Sequence, residues 1–415
     1  MKAISRLLTF CLLSSVPVVA QVAPAAFGSG QAPTAGTQRL IYAFRYAQTA
    51  QIYTQSTNVQ ASSLSGTLDY ANRHQRYPFS VDYGGGYTWT LSGPGYQSGQ
   101  FQHMFVTQGI NFRRSRFSFR DDVSYLPQSP TTGFSGIPGI GEIIGIPNPS
   151  PPNNQTILTV NTHTVANMVG GDFDHNVSYA TTVGVSGRYD LLRFPDNNGL
   201  NTDSVSGEAR LARRFSGRTT LEGRGVYTHF SYLDTPISID TGTGYLGIRH
   251  RWTRNLSTDV SAGPQNIMSS IDPIVPSSLG YSIAAGANYV LHFTTFNASY
   301  SHGMNGGSGY LIGGIADVVT GNYTHQFGPN TLFGLTGGYN RTAALSKSNG
   351  LTNSQFGGAQ VTWRVANNLI VFANYTAINQ SGSLLVPGNT LNQMMNTIGF
   401  GFGLSSRELR PAPRQ

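Results

Sequence analysis

The chain has 415 residues, 26 basic against 18 acidic (net charge +8), and only 11% charged residues in all. Soluble globular domains carry about 25% charged residues, so that class fits poorly, and 21 Tyr with 22 Phe argue against a disordered chain. One cysteine, Cys11, excludes a disulfide-stapled scaffold.

Residues 1–20 read as a cleaved secretory signal peptide, with Lys2 and Arg6 ahead of an apolar core at 7–13 and Val18-Val19-Ala20 before Gln21. Cleavage removes Cys11 and takes the 26 basic residues to 24 against 18 acidic ones, a charge of +6. Lys347 is then the one lysine left. The arginines are spread along the chain rather than clustered, which argues against a nucleic-acid partner. Residues 21–36 follow as an N-terminal linker.

Residues 79–91 carry the fold signal. Phe79, Val81, Tyr83, Tyr87, Trp89 and Leu91 share one strand face, while Ser80, Asp82, Gly84, Gly86, Thr88 and Thr90 share the other. Similar segments lie near 37–48, 60–71, 101–112, 116–126, 161–173, 177–191, 203–213, 218–232 and 241–252. They continue near 255–265, 278–291, 294–303, 310–325, 330–341, 354–365, 368–378 and 392–404. No stretch of the mature chain approaches the ~18 apolar residues of a membrane helix. Tight turns (113–115, 253–254, 326–329, 366–367) alternate with longer loops (194–202, 266–277, 341–353, 378–391).

That pattern predicts an all-β fold, a transmembrane antiparallel up-and-down β-barrel of about 18 strands over 37–404, with a tail at 405–415. Sixteen strands remain if the first two segments lie outside the wall. Aromatic belts are expected at both interfaces. Phe112, Phe173, Trp252, Phe327, Trp363 and Phe402 fall near the tight turns; Trp89, Tyr125, Phe194, Phe230 and Tyr232 fall near the loops.

The alternation, the leader and the segment Leu191-Leu192-Arg193-Phe194-Pro195-Asp196-Asn197-Asn198-Gly199-Leu200 resemble the porin-like outer-membrane barrel proteins of Gram-negative bacteria. The resemblance covers nearly all of the mature chain. It implies an outer-membrane location, outer-membrane lipid as surroundings and insertion by the barrel-assembly machinery, with a homo-oligomer left open. Such barrels end on an aromatic strand; here Ile398, Phe400 and Phe402 supply the alternation and 403–415 continues past it. The longest connection, 127–160, carries Ile137, Ile140, Ile143, Ile144 and Ile146. By this strand count it is the third long loop, the one that folds into the lumen in general porins; the alternative is a loop that projects outward or contacts another subunit.

The inward faces are mostly Ser, Thr, Gly and Asn, so charged exceptions stand out as candidate pore-lining residues: Arg188, Glu208, Arg210, Glu222, Arg224, Arg249, Arg251 and Asp259. Centring one turn near Ser216 sets Glu208 opposite Arg224 and Arg210 opposite Glu222. Centring the next near Thr253 or Arg254 sets Arg249 opposite Asp259, and places Arg224 beside Arg249. Beyond 278 the inward charges expected are chiefly Asp317 and Arg364.

No convergent catalytic set, metal-ligand spacing or cofactor motif is present, and Ser301 and His302, as strand neighbours, point to opposite faces. The chain therefore reads as no enzyme and needs no cofactor. It reads as a porin-like channel for passive diffusion of small hydrophilic solutes, mildly anion-preferring. The alternative is a structural or adhesive barrel with a plugged lumen whose loops bind an external partner.

Overall fold

A computed structural model describes residues 38–53, 58–72, 74–92, 99–127, 163–195, 199–270, 275–307, 311–346, 350–382 and 393–406. The leader, the linker and the isoleucine-rich loop lie outside the described residues.

Eighteen strands make up the wall. They are β1 (Gln38–Tyr53), β2 (Val59–Asn72), β3 (Phe79–Ser92), β4 (Gly99–Asn111), β5 (Ser115–Pro127) and β6 (His163–Asn176). Next come β7 (Thr181–Arg193), β8 (Thr202–Arg214), β9 (Thr219–Tyr232), β10 (Ile237–Arg251), β11 (Leu256–Ser269) and β12 (Ser278–Leu291). The last are β13 (Thr294–Asn305), β14 (Gly314–Phe327), β15 (Thr331–Ala344), β16 (Leu351–Arg364), β17 (Leu369–Gly382) and β18 (Gln393–Ser405). Each pairs antiparallel with its chain neighbours, and β1 also pairs with β18. Closure removes the sheet edges, which lipid could not hydrogen-bond. No helix among the described residues is long and apolar enough to cross a membrane; the crossing is made by strands.

Period-two alternation sets the two surfaces. Tyr83, Leu246, Val260, Tyr281, Ile398 and Phe400 are exposed on the outside. Ser282, Thr342, Thr376 and Thr397 are buried on the inside. Phe112, Phe173, Phe215, Trp252, Phe293, Phe327, Trp363 and Phe402 form an exposed aromatic girdle at the short-turn end. An eighteen-strand wall that is apolar outside, polar inside and girdled by aromatic rings is the porin-like outer-membrane architecture. The chain is an outer-membrane barrel.

The expected loop-side belt differs. Phe194, Phe230 and Tyr232 are buried, not exposed. Phe230 and Tyr232 share the inward face of β9 with Arg224 and Thr228, so they pack inside the mouth. Position near a loop fixes a residue's height on the wall, and only strand parity fixes its side.

Four short turns share one geometry. In 215–218 the amides of Phe215 and Ser216 both donate to Thr219 O (3.0 and 3.3 Å). Trp252 and Thr253 donate to Leu256 O at 3.0 and 3.3 Å, and Val365 and Ala366 to Leu369 O at the same distances. Ser178 donates to Thr181 O at 3.2 Å. Ser178, Ser216 and Thr253 also accept two amides each on their hydroxyls, at 3.0–3.2 Å. This is the local side-chain-to-backbone bonding that favours Ser and Thr in turns.

Candidate functional site

Charges concentrate on one side of the lumen, with Arg45, Asp69, Asp82 and Arg364 among the inward charges elsewhere. From β5 to β11 the inward residues include Arg120, Asp172, Asp174, Arg188, Asp190, Glu208, Arg210, Glu222, Arg224, Arg249, Arg251 and Asp259. Nine strands on from β8 stands β17, whose inward residues are Ile370, Phe372, Asn374, Thr376, Ile378 and Gln380.

The register of β8 and β9 differs from the expected one by two residues. Arg210 stands opposite Arg224, Glu208 opposite Val226, and Ala212 opposite Glu222. The ladder is centred on Gly217, because the shared turn geometry places its first residue at Phe215. Two arginines face each other directly, and each turns to an acid elsewhere. Arg210 crosses β7 to hold Asp174 in a bidentate pair, with Nη2 at 2.7 and 2.8 Å from the two oxygens and Nε at 3.1 Å. The crossing passes over Gly184, which pairs with Asp174 on one side and Arg210 on the other. A Cβ at Gly184 would sit 2.6 Å from Arg210 Nε and collide with Asp174 as well.

Arg224 turns to Glu222 (3.4 Å) and lies 3.8 Å from Glu208. Its Nη2 donates to Ser261 Oγ at 3.2 Å, and its guanidinium lies 4.7 Å from the centre of the Tyr245 ring opposite. Arg249 faces Thr220 on β9, four residues along from Arg224, so the two arginines are not side by side. Across the other ladder Arg249 stands opposite Asp259. A cavity of about 270 Å³ opens here, lined by Asp174, Glu208, Arg210, Glu222, Arg224, Arg249 and Asp259.

Arg188 is set apart from this group. It stands opposite Ser206. Its Nε donates to Asp190 Oδ1 at 2.5 Å, Ser204 Oγ donates to Asp190 Oδ2 at 3.0 Å, and the pair is buried in the wall. Arg251, near the short turn, is exposed.

Several charged lumenal residues were not singled out from the sequence. Asp172, bound by Arg120 and by Ser118 Oγ (3.2 Å), and Asp174 sit on β6, which runs past the expected end at 173. Their alternation with Phe173 and His175 was the available signal. His103 and Asp122 form a buried pair at 2.9 Å. Asp317, by contrast, is on the outside of the wall: it pairs with exposed Arg341 and shares the parity of exposed Val319. His302 also faces out and bonds Asp317 at 2.8 Å, while Ser301 faces in.

At the loop end the lumen is apolar. Phe230, Tyr232, Ile237, Ile239, Ile267 and Val275 are buried together, with Met304, Ile312 and Leu345 against them. Val275, Ile312 and Leu345 come from three different connections, so three loops fold inward onto one shelf. Tyr232 donates its hydroxyl to Gly306 O at 3.2 Å, tying one of them down. Gly313 makes the approach possible: its φ is +69°, and a Cβ there would meet Ile239 Cδ1 at 2.9 Å. Among the described residues Val275, Ile312 and Leu345 are loop residues that pack inside the mouth; 127–160, expected to fold into the lumen, lies outside the described residues.

No family model matches the chain, and no curated protein does. Solved structures similar in fold include OccK2 (OpdF) of Pseudomonas aeruginosa, at 12% identity and a TM-score of 0.49, covering 89% of this chain and 98% of that one. OccAB4 of Acinetobacter baumannii has 9% identity and a TM-score of 0.46, with 89% and 98% covered. OpdK of Pseudomonas aeruginosa, solved with vanillate, has 10% identity and a TM-score of 0.44, with 88% and 98% covered.

Proposed function

We propose that the chain is a channel for passive diffusion of small hydrophilic solutes across the outer membrane, with a mild preference for anions. The observation that carries this reading is the closed eighteen-strand wall around a polar lumen whose charges concentrate on β5–β11. An eighteen-strand barrel encloses space beyond what its own side chains fill. The uneven charge sets a field across the path, which orients dipolar solutes and slows those of the wrong sign.

The preference is mild because most arginines here are matched by acids. Arg210, Arg224 and Arg188 each engage carboxylates, and Arg249 stands opposite Asp259. Arg249 and Arg251 are the more exposed guanidiniums, one above the other on β10 near the short turns. They are the residues best placed to favour anions.

Conductance of the purified protein in a planar bilayer tests the channel, and the reversal potential under a salt gradient tests its sign. Arg249→Ser with Arg251→Ser should raise relative cation permeability. The shift should fade as salt rises past 0.1 M, where the screening length is ~10 Å. An unchanged reversal potential removes the anion preference. The second reading, a plugged barrel, draws on the apolar packing of three loops inside the mouth; absence of any conductance in properly inserted protein would favour it.

A further inference from the structure

Among the described residues the widest opening in the ladder is a seam between β12 and β13. On its β11 side β12 is paired from Tyr289 to Ser278. On its β13 side the pairing stops at Ile283 opposite His302. β13 itself continues to Asn305 with β14 as partner. Above that point β12 offers β13 an unpaired edge, in a wall whose surroundings cannot hydrogen-bond one. It is the shortest ladder among the described residues.

The upper end of β13 is drawn inward instead. Met304 donates its amide to Gln265 Oε1 at 3.1 Å, a lumenal side chain two strands away. Ser282 Oγ donates to His302 O at 2.9 Å and contacts Tyr245 OH at 2.7 Å. Gly303 permits this, since a Cβ there would come within 2.8 Å of Ser282 Oγ. Opposite, a Cβ at Gly280 would meet nothing within 4 Å. Space lies along the seam on its inner side.

The seam joins two apolar surfaces. Inside are Met304, Ile239, Ile267 and Ile312 of the loop-end shelf. Outside, Leu279 is 77% and Tyr281 59% exposed. A single stacked pair spans the gap on the outer face: the Tyr281 and His302 rings lie 4.6 Å apart. Asp317 holds His302 at 2.8 Å and accepts Tyr300 OH at 3.0 Å.

We propose that the β12–β13 seam is a lateral portal through which a small apolar molecule passes between the loop-end vestibule and the outer leaflet. The Tyr281–His302 stack is its outer latch and the Gln265–Met304 bond its inner one. This route is separate from the axial path for hydrophilic solutes, and either could exist without the other.

The test staples the seam. Tyr281→Cys with His302→Cys, the two positions whose rings meet across the gap on the outer face, is joined by a short bis-maleimide in cells producing the protein. Entry of N-phenyl-1-naphthylamine, which fluoresces in lipid, is then followed; arabinose-driven swelling of liposomes carrying the same protein reads the axial path. Unstapled protein should admit the dye faster than cells without it, and stapling should abolish that gain while leaving arabinose flux unchanged. Equal dye entry with and without the staple, or no gain from the unstapled protein, overturns the portal. Where the staple does not form, Tyr281→Ala with His302→Ala decides: removal of the latch should speed dye entry, and an unchanged rate overturns the proposal. Loss of arabinose flux would bear on the axial channel alone.

Discussion

The two sides of the lumen solve the same problem differently. On β13–β15 polar side chains meet directly across the ladder. Thr336 donates to Asn322 Oδ1 at 2.7 Å from the position opposite it, and Ser299 and Thr320, also opposite, lie 2.6 Å apart. On β6–β10 the bonds run diagonally or over an intervening strand, as Arg210 does to reach Asp174. Short neutral groups reach only a ladder partner or the next inward residue of their own strand. Arginine reaches two strands, so its partner is chosen by charge rather than by register. The neutral side is therefore held residue by residue, and the charged side as a network.

The largest difference should appear when one buried partner is removed from each side. Asp190→Ala leaves the Arg188 guanidinium in the wall without the carboxylate it now bonds. Breaking a buried ion pair in this way costs about 3–5 kcal/mol. Asn340→Ala removes an equally buried acceptor, bonded by Thr342 Oγ1 at 3.3 Å, but no charge. Its cost should be about 1–3 kcal/mol. Urea unfolding of the barrel in matched lipid measures both. Similar losses for the two variants would dissolve the distinction between a networked and a pairwise wall.

A smaller contrast separates two lumenal glycines. Gly184→Ala intrudes between Asp174 and Arg210 and should break their bidentate pair. Both side chains can move, so the cost belongs at the low end of the ~1–3 kcal/mol seen for overpacking. At Gly334, on the neutral side, a Cβ meets only Tyr323 O at 3.9 Å. Gly334→Ala should stay within about 0.5 kcal/mol of the parent. Channel conductance should also change for the first variant alone, because the released arginine and aspartate line the cavity.

How much of this was legible in the sequence follows from the same physics. Alternation survives small errors in boundary, so eighteen segments, the closed wall and the exterior of Tyr281, Val260 and Phe400 could be read from residue order. Pairing across strands depends on turn geometry, where a shift of one residue at the centre moves partners by two. Centring near Thr253 or Arg254 included the true register of β10 and β11, and Ser216 missed that of β8 and β9. Phe215-Ser216 and Trp252-Thr253 are the same turn, an exposed apolar residue followed by a hydroxyl, and aligning them would have corrected the second. The seam at β12–β13 had no such signal. Its residues alternate like any others, and it arises from Gln265 and Ser282 bonding the β13 backbone from within the lumen.

The smallest effect tests the turns themselves and returns to the two sides. Turns below the charged wall carry Ser178, Ser216 and Thr253, each accepting two amides. The matching turn between β16 and β17 carries Ala366 and keeps the same backbone bonds without the hydroxyl. The hydroxyl thus stabilises a geometry that the chain can adopt without it. Thr253→Ala should cost near the low end of the ~0.5–1.5 kcal/mol of a net hydrogen bond, since water can reach the freed amides. Ala366→Ser should gain a similar amount. Neither should move the register, which a disulfide between cysteines at Arg249 and Asp259 would report, these being opposite each other in the ladder. If Thr253→Ala abolished that crosslink, the hydroxyl rather than the backbone would be setting the register, and the charged wall would depend on its turns in a way the neutral wall does not.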